Sequence, residues 1–246
     1  MTTGSRTAIV TGGSSGIGYA VAAALVARGD NVVIGGRDKD KLRAAVERLD
    51  GSERTRFVVG DIGDPGTGPA LAAAAVEAFG SVDILVNNAG TFGATPLLDV
   101  RVEELDGFLN GNLRGTYLVT QAVARQLVEQ GRGGAIVNIT TVLLSHAIGG
   151  LPASAALASK GGVRALTVAL SAELAQYGIR VNEVAPGIVR TPLHAANGSE
   201  DLAGLAVLNR IAEAEEIASS VLHLTDAEFA TGVRINSDGG YVTARR

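Results

Sequence analysis

The chain has 246 residues, of which 46% are hydrophobic, 33 are glycine and none is cysteine, and its formal net charge is −4 at pH 7. That length suits one α/β domain with helices on both faces of a sheet. The missing cysteine excludes disulfides, a thiol nucleophile and a cysteine-based metal site, so no metal is expected, and without a long Lys/Arg run there is no nucleic-acid footprint.

Short apolar runs alternate with longer amphipathic segments along the chain. Thr7–Thr11 reads as a strand and Gly16–Arg28 as a helix. Asn31–Gly35 and Asp38–Leu49 repeat the pair, as do Phe57–Gly60 and the Ala-rich Pro69–Phe79. Asp83–Asn87 is a fourth strand, followed by a long helical region from about Val102 to Glu129. Ala135–Thr140 is a strand, Ala155–Tyr177 a helix, Arg180–Ala185 a strand, Glu213–Leu224 a helix and Val233–Ser237 a last strand. The strands carry Val and Ile on consecutive positions, which predicts a parallel sheet covered on both faces. Repeated βα alternation predicts right-handed crossovers and a Rossmann-like, doubly wound sheet.

The one long irregular segment, 188–209, contains Pro192, Asn197 and Gly198 and directly follows a strand's carboxyl end. It reads as a lid over a ligand. Its apolar residues Leu193, Leu202, Leu205, Val207 and Leu208 predict an apolar pocket for a small molecule. Met1–Arg6 is short and polar, unlike a signal peptide, and no run reaches the roughly 20 apolar residues of a membrane span. A soluble cytoplasmic protein is expected.

The first βα turn reads Thr11-Gly12-Gly13-Ser14-Ser15-Gly16-Ile17-Gly18. Glycines here allow a tight turn and a close approach of backbone to a pyrophosphate, which the following helix N-terminus attracts. Further along come Asn87-Asn88-Ala89-Gly90 after the fourth strand and Asp61 after the third. Pro186-Gly187 with Val189 and Thr191 follows the sixth, and Asp238-Gly239-Gly240 lies near the C-terminus.

In this order, these motifs resemble those of the short-chain dehydrogenase/reductase family over nearly the whole chain. The resemblance implies a nicotinamide-dependent oxidoreductase acting on a carbonyl or alcohol. It implies cofactor contacts from the glycine-rich turn, from Asp61 and Ile62 at the adenine, from Asn88, Ala89, Gly90, Pro186, Gly187, Val189 and Thr191, and from Lys160 at the nicotinamide ribose. Enzymes that choose NAD place a carboxylate at the end of the second strand. Here Ile34-Gly35-Gly36-Arg37 has none, and Arg37 can pair with a 2′-phosphate, though Asp38 beside it weakens the field. NADP(H) is therefore expected over NAD(H).

The family's chemistry uses a Tyr acid/base, a Lys, a Ser or Thr and an Asn. The resemblance carries the Asn to Asn112, the Lys to Lys160 and the hydroxyl to Thr141. Thr141 precedes the tyrosine position by 15 residues, a longer spacing than the family's, which implies an extended loop and makes Ser145 a second candidate. The tyrosine position itself holds Ala156. Losing a general acid typically costs ~10²–10⁴ in rate.

Four readings follow: an engineered trap for substrate and cofactor, a branch with another proton donor, a different reaction, or a binding-only relative. His146, in the extended loop and with a pKa suited to neutral pH, is the first candidate for a substitute acid. Ser154 and Ser159 flank the position, and Tyr117 and His194 are further candidates. Tyr177 and Tyr241 read as packing or interface residues.

The resemblance further implies a homo-oligomer, dimer or tetramer, built on the Val102–Glu129 and Ala155–Tyr177 helices and the Tyr241–Arg246 segment. A cofactor-binding protein without turnover, and a non-redox biosynthetic enzyme on the same fold, are the alternatives to the oxidoreductase.

Overall fold

The structure is a computed structural model that describes residues 5–49, 53–192 and 199–243. Leu193, Asn197, Gly198 and His194 lie outside the described residues. Seven strands form one parallel sheet in the order β3-β2-β1-β4-β5-β6-β7. They are β1 Thr7–Thr11, β2 Asn31–Gly36, β3 Thr55–Val59, β4 Ile84–Asn87, β5 Gly134–Ile139, β6 Ile179–Pro186 and β7 Arg234–Ser237. The helices are α1 Gly16–Ala27, α2 Lys39–Arg48, α3 Thr67–Phe79, α4 Val102–Phe108, α5 Gly115–Gln130, α6 Ser154–Glu173 and α7 Ala214–Asp226.

Each strand feeds two cores, because successive side chains leave opposite faces of the pleat. Ala8 and Val10 join Val32, Ile34 and Val137 against α1, α2 and α7. Ile9 joins Val33, Leu85 and Ile136 against α3 and α5. The consecutive apolar residues of β1, β2 and β4 are thus all buried, as a doubly covered parallel sheet requires, while Val59 on the edge strand β3 is exposed. Among the described residues, no helix is long and apolar enough to cross a membrane.

The helical region read as continuous from Val102 to Glu129 is broken by a π-helical turn at Leu109–Arg114. Such a bulge adds a residue to one turn and swings its side chain out of the helical register. Here it turns Asn112 inward, where the residue is 1% exposed. Strand β3 starts before Phe57, since Thr55 and Arg56 pair with Val32 and Val33. Helix α6 ends at Glu173 rather than Tyr177; a short 3-10 turn Ala175–Tyr177 and the left-handed Gly178 (φ 70°) complete it.

The segment read as irregular holds a 3-10 turn, Ser199–Leu205, and Val189 bridges Ala212.

Strand order reverses between β1 and β4, so their helices diverge to opposite faces and leave a crevice at the carboxyl ends. Below it a buried polar chain ties four elements together. Asn87 Nδ2 donates to Thr120 Oγ1 (2.8 Å) and Asn138 Oδ1 (2.9 Å), and Asn138 Nδ2 donates to Thr167 Oγ1 (2.8 Å). All four residues are buried, so loss of one member strands its partners. Asn138→Ala is expected to lower folding stability by about 1–3 kcal/mol, read in chemical denaturation.

Candidate active site

The glycine-rich turn leaves β1 and enters α1. Gly12 N and Gly13 N both donate to Gly35 O, at 2.8 and 3.3 Å, which fastens the turn to β2. Ser15 caps α1 with extended backbone, and its side chain makes no cap bond. The first-turn amides of α1 therefore have no side-chain partner where Ser14, Ser15, Gly16 and Ile17 line a cleft of about 1740 Å³. A helix N-terminus so presented is an anion site.

The turn is clasped to the exit of β4. Asn88 Nδ2 donates to Thr11 O (3.0 Å) and Gly12 O (3.2 Å), while Thr11 Oγ1 accepts from Asn88 N and Ala89 N, both at 3.0 Å. Gly18 sits against the same carbonyl and amide, and a Cβ there would collide with Gly12 O and Asn88 Nδ2. Thr11 and Gly18 thus shape the cradle from behind, since neither lines the cleft.

At the ends of β2 and β3 the cleft wall holds Arg37, Asp38, Lys41, Asp61 and Ile62. Asp38 is the N-cap of α2: its Oδ1 accepts from Asp40 N (3.1 Å) and Lys41 N (3.0 Å). The Lys41 amide bond is the largest cause holding the Asp38 carboxyl below its ordinary value, and burial opposes it. Arg37 lies 3.8 Å from the Asp61 carboxylate, with both side chains exposed. Screened by solvent, that pair is weak and leaves Arg37 able to meet an anion.

At the end of β6 and just beyond it, Pro186, Gly187 and Val189 line the far wall, and Thr191 lies against Gly16.

The inner end gathers residues from four elements. Asn112 Nδ2 donates to Thr91 O (3.0 Å) and Ser159 Oγ (2.9 Å), and its Oδ1 accepts from Thr91 N (2.8 Å). Ser159 Oγ in turn donates to Ala156 O (2.7 Å). Lys160 Nζ donates to Ile139 O (2.9 Å), and burial pushes its pKa down from about 10.5 to about 8. A Cβ on Gly90 would sit 2.9 Å from Asn112 Oδ1 and 3.0 Å from Lys160 Nζ, so any side chain here would crowd both groups.

The loop after β5 is pinned from below. Thr140 Oγ1 donates to the buried carboxylate of Glu183, which pairs with Arg234 Nε at 3.4 Å. Arg234 also donates to Thr141 O (2.8 Å) and Ser145 Oγ (2.6 Å). Thr141 lines the cleft, whereas Ser145 and His146 do not. Thr141 Oγ1 accepts from Leu143 N (3.3 Å) and so starts the short turn Val142–Leu144.

The His146 ring meets the Tyr241 ring edge-on at 5.4 Å, and Tyr241 OH donates to His146 O (3.4 Å). Tyr241, read from the sequence as a packing residue, also lines the cleft; Tyr117 is exposed on α5. Lys41, Glu183 and Arg234, which shape the site, carried no site reading in the sequence, and Ser159 was read only as flanking position 156. Glu183 carried a usable signal: a charge inside an apolar strand needs a partner.

The family model for short chain dehydrogenase matches residues 6–202. The chain is 37% identical over 247 residues to the L-rhamnose 1-dehydrogenase (NAD(P)(+)) of Azotobacter vinelandii, covering 96% of each. It is 35% identical over 244 residues to the NADP-dependent (R)-specific alcohol dehydrogenase of Lentilactobacillus kefiri, again 96% of each. A solved variant of actinorhodin polyketide ketoreductase with NADPH superposes with TM-score 0.90 at 31% identity, over 98% of both chains. The chain belongs to the short-chain dehydrogenase family.

In this short-chain dehydrogenase Ala156 is 0% exposed. It is buried with Ala155 and Phe108, and Phe92, Val100 and Leu105 pack against that cluster. Phe92 lines the cleft and Ala156 does not. The position that the sequence resemblance assigns to the tyrosine is therefore sealed by apolar packing and does not open as a cavity onto the cleft. Ala156→Tyr is expected to overpack this cluster and destabilise the fold by about 1–3 kcal/mol, measured by urea denaturation beside Ala156→Ser, which stays near the parent.

Lys160 gives a pH signature. Below pH 8 the folded chain holds a poorly solvated ammonium, a cost the unfolded chain does not bear. Between about 8 and 10.5 the folded amine is neutral while the unfolded one is still charged, so stability rises with pH across that window. Lys160→Met is expected to raise the melting temperature of the ligand-free protein at pH 7. The gain should shrink as pH climbs through that window, checked by calorimetry.

Proposed function

We propose that this chain is an NADP(H)-dependent oxidoreductase acting on a carbonyl or alcohol, with an atypical active site in which Ala156 takes the tyrosine position. One observation carries the reading: a single cleft joins the anion-binding turn, the Arg37 corner and the Lys160 end. The residues fit a nicotinamide dinucleotide, because the cradle behind Gly12 and beside Gly90 has no room for a Cβ. When bound, that cofactor supplies a hydride donor or acceptor at its nicotinamide ring.

In this reading Gly12, Ser14, Ser15, Gly16 and Ile17 hold the pyrophosphate, behind them Thr11 and Gly18 set the turn, and Arg37 with Lys41 meets a 2′-phosphate. Asp38, already occupied as a helix cap, competes little for that corner. Asp61 and Ile62 flank the adenine. Asn88, Ala89, Gly90, Pro186, Gly187, Val189 and Thr191 enclose the nicotinamide end with Lys160. Thr141 orients the substrate oxygen, and Asn112 braces the Thr91 backbone and Ser159.

The substrate is a small molecule with apolar surface, since Ile148, Leu151, Leu202, Leu205, Val207 and Leu208 line the remaining space under the lid, 188–209. The printed names of the relatives support the cofactor class: one uses NAD(P), one NADP, and one was solved with NADPH. Exposed Leu98, Val102 and Tyr117 around α4 and α5 support assembly into a homodimer or homotetramer. The absence of cysteine fits a cytoplasmic setting.

The sealed Ala156 position favours a second reading, a dinucleotide-binding protein without turnover. Ketone-dependent loss of NADPH absorbance separates the two. The protein has no Trp, so the fluorescence of bound NADPH reports affinity directly. Tighter binding of NADPH than NADH is expected, and Arg37→Glu should weaken NADPH by about 10–100-fold while leaving NADH within a few-fold. Equal affinities in the parent protein would sink the NADP(H) assignment.

A further inference from the structure

We propose that Lys160 is itself the acid–base group of this site, its ammonium giving a proton directly to the oxygen of the bound carbonyl. The proposal rests on the oxidoreductase reading above.

Lys160 lies one helical turn beyond Ala156 on α6, where residues at i and i+4 share a face. A side chain at 156 that reached the cleft would stand beside the amine. Alanine does not, and its methyl is sealed under the Phe108 cluster. Lys160 lines the cleft, and its Nζ makes one hydrogen bond, to Ile139 O. Of the three ammonium protons, two have no protein acceptor among the described residues. Gly90 keeps the approach open, since a Cβ there would lie 3.0 Å from Nζ and 3.5 Å from Cε.

The other titratable groups of the cleft wall are committed elsewhere. Asp238 accepts from Gly240 N and Val242 N, Arg210 pairs with Glu216, and Tyr241 turns its hydroxyl to His146 O. Arg37, Asp38, Lys41 and Asp61 belong to the corner at the ends of β2 and β3.

The elements around the amine bring it Gly90 from the β4 exit, Asn112 from the π-turn and Ile139 from β5. None of these titrates, and no charged side chain contributes to its lowered pKa of about 8; burial is the cause. Such a group is mostly protonated at pH 7 yet gives up its proton far more readily than an exposed lysine.

The step balances as follows. The carbonyl carbon takes a hydride from a reduced nicotinamide dinucleotide, and the C=O π pair moves to oxygen. An O–H bond forms there as one Nζ–H bond breaks. The net proton consumed comes from bulk solvent, which reprotonates the neutral amine through the open side of the cleft. In the reverse direction the neutral amine removes the alcohol proton.

The first readout is independent of activity. Competitive acetylation of Lys160 in the ligand-free protein, followed by peptide mass spectrometry from pH 6 to 11, is expected to show a midpoint near 8. Turnover is then measured with NADPH and a panel of alkyl and aryl ketones. Reduction should fall as pH rises through that midpoint, and alcohol oxidation with NADP should rise through it. Lys160→Arg keeps a cation that does not release a proton. Its NADPH affinity, read by fluorescence, separates lost binding from lost turnover, and at saturating NADPH it should lose about 10²–10⁴ in ketone reduction.

Three results overturn the proposal alone: an acetylation midpoint near that of an ordinary lysine, undiminished reduction by Lys160→Arg, or the loss appearing in Tyr241→Phe or His146→Gln instead. A parent protein that binds NADPH but reduces no ketone, at any pH, overturns the oxidoreductase reading and the proposal with it.

Discussion

The whole site hangs on one close approach, the clasp between the glycine-rich turn after β1 and the exit of β4. Four hydrogen bonds cross it, from Asn88 and Ala89 to Thr11 and Gly12, and Gly18 stands where any side chain would strike the Gly12 carbonyl. Because the two strands send their following helices to opposite faces, their exits would otherwise diverge. The clasp holds the two rims of the crevice at a fixed spacing. The α1 amides on one rim and Gly90 on the other can then face a single elongated ligand.

The inner end is held by polar groups that the apolar cores could not have positioned. The π-turn delivers Asn112 to the Thr91 backbone and to Ser159, and the Asn87–Asn138–Thr167 chain sets the height of β4 and β5 against α6. Buried polar networks of this kind are costly when broken and specific when complete. Lys160 stands at their edge with a single carbonyl partner. Burial holds its pKa down to about 8, so the ammonium costs the fold some stability at neutral pH.

The loop after β5 is held from below by a buried ion pair. Parallel register sets Glu183 beside Arg234, and the pair then reaches up through Thr140, Thr141 and Ser145. An ion pair this well enclosed contributes little net stability. What it supplies is geometry: the loop floor is fixed, so Thr141 and the short turn behind it face the cleft while His146 is turned onto Tyr241.

The element order, the parallel sheet and the dinucleotide cradle could be read from residues adjacent in the chain, because strand composition, glycine spacing and βα alternation are local signals. So could the oddity at Ala156, as a break in a short motif. The partners were out of reach. That Ala156 is sealed by Phe108, that Asn112 turns inward on a π-turn, and that Glu183 meets Arg234 each depends on contacts between distant segments. Those contacts are set by strand register and helix packing. Lys160 belongs to both kinds: its position was legible in the motif, but its lowered pKa comes from burial, and burial exists only once the chain has folded around it.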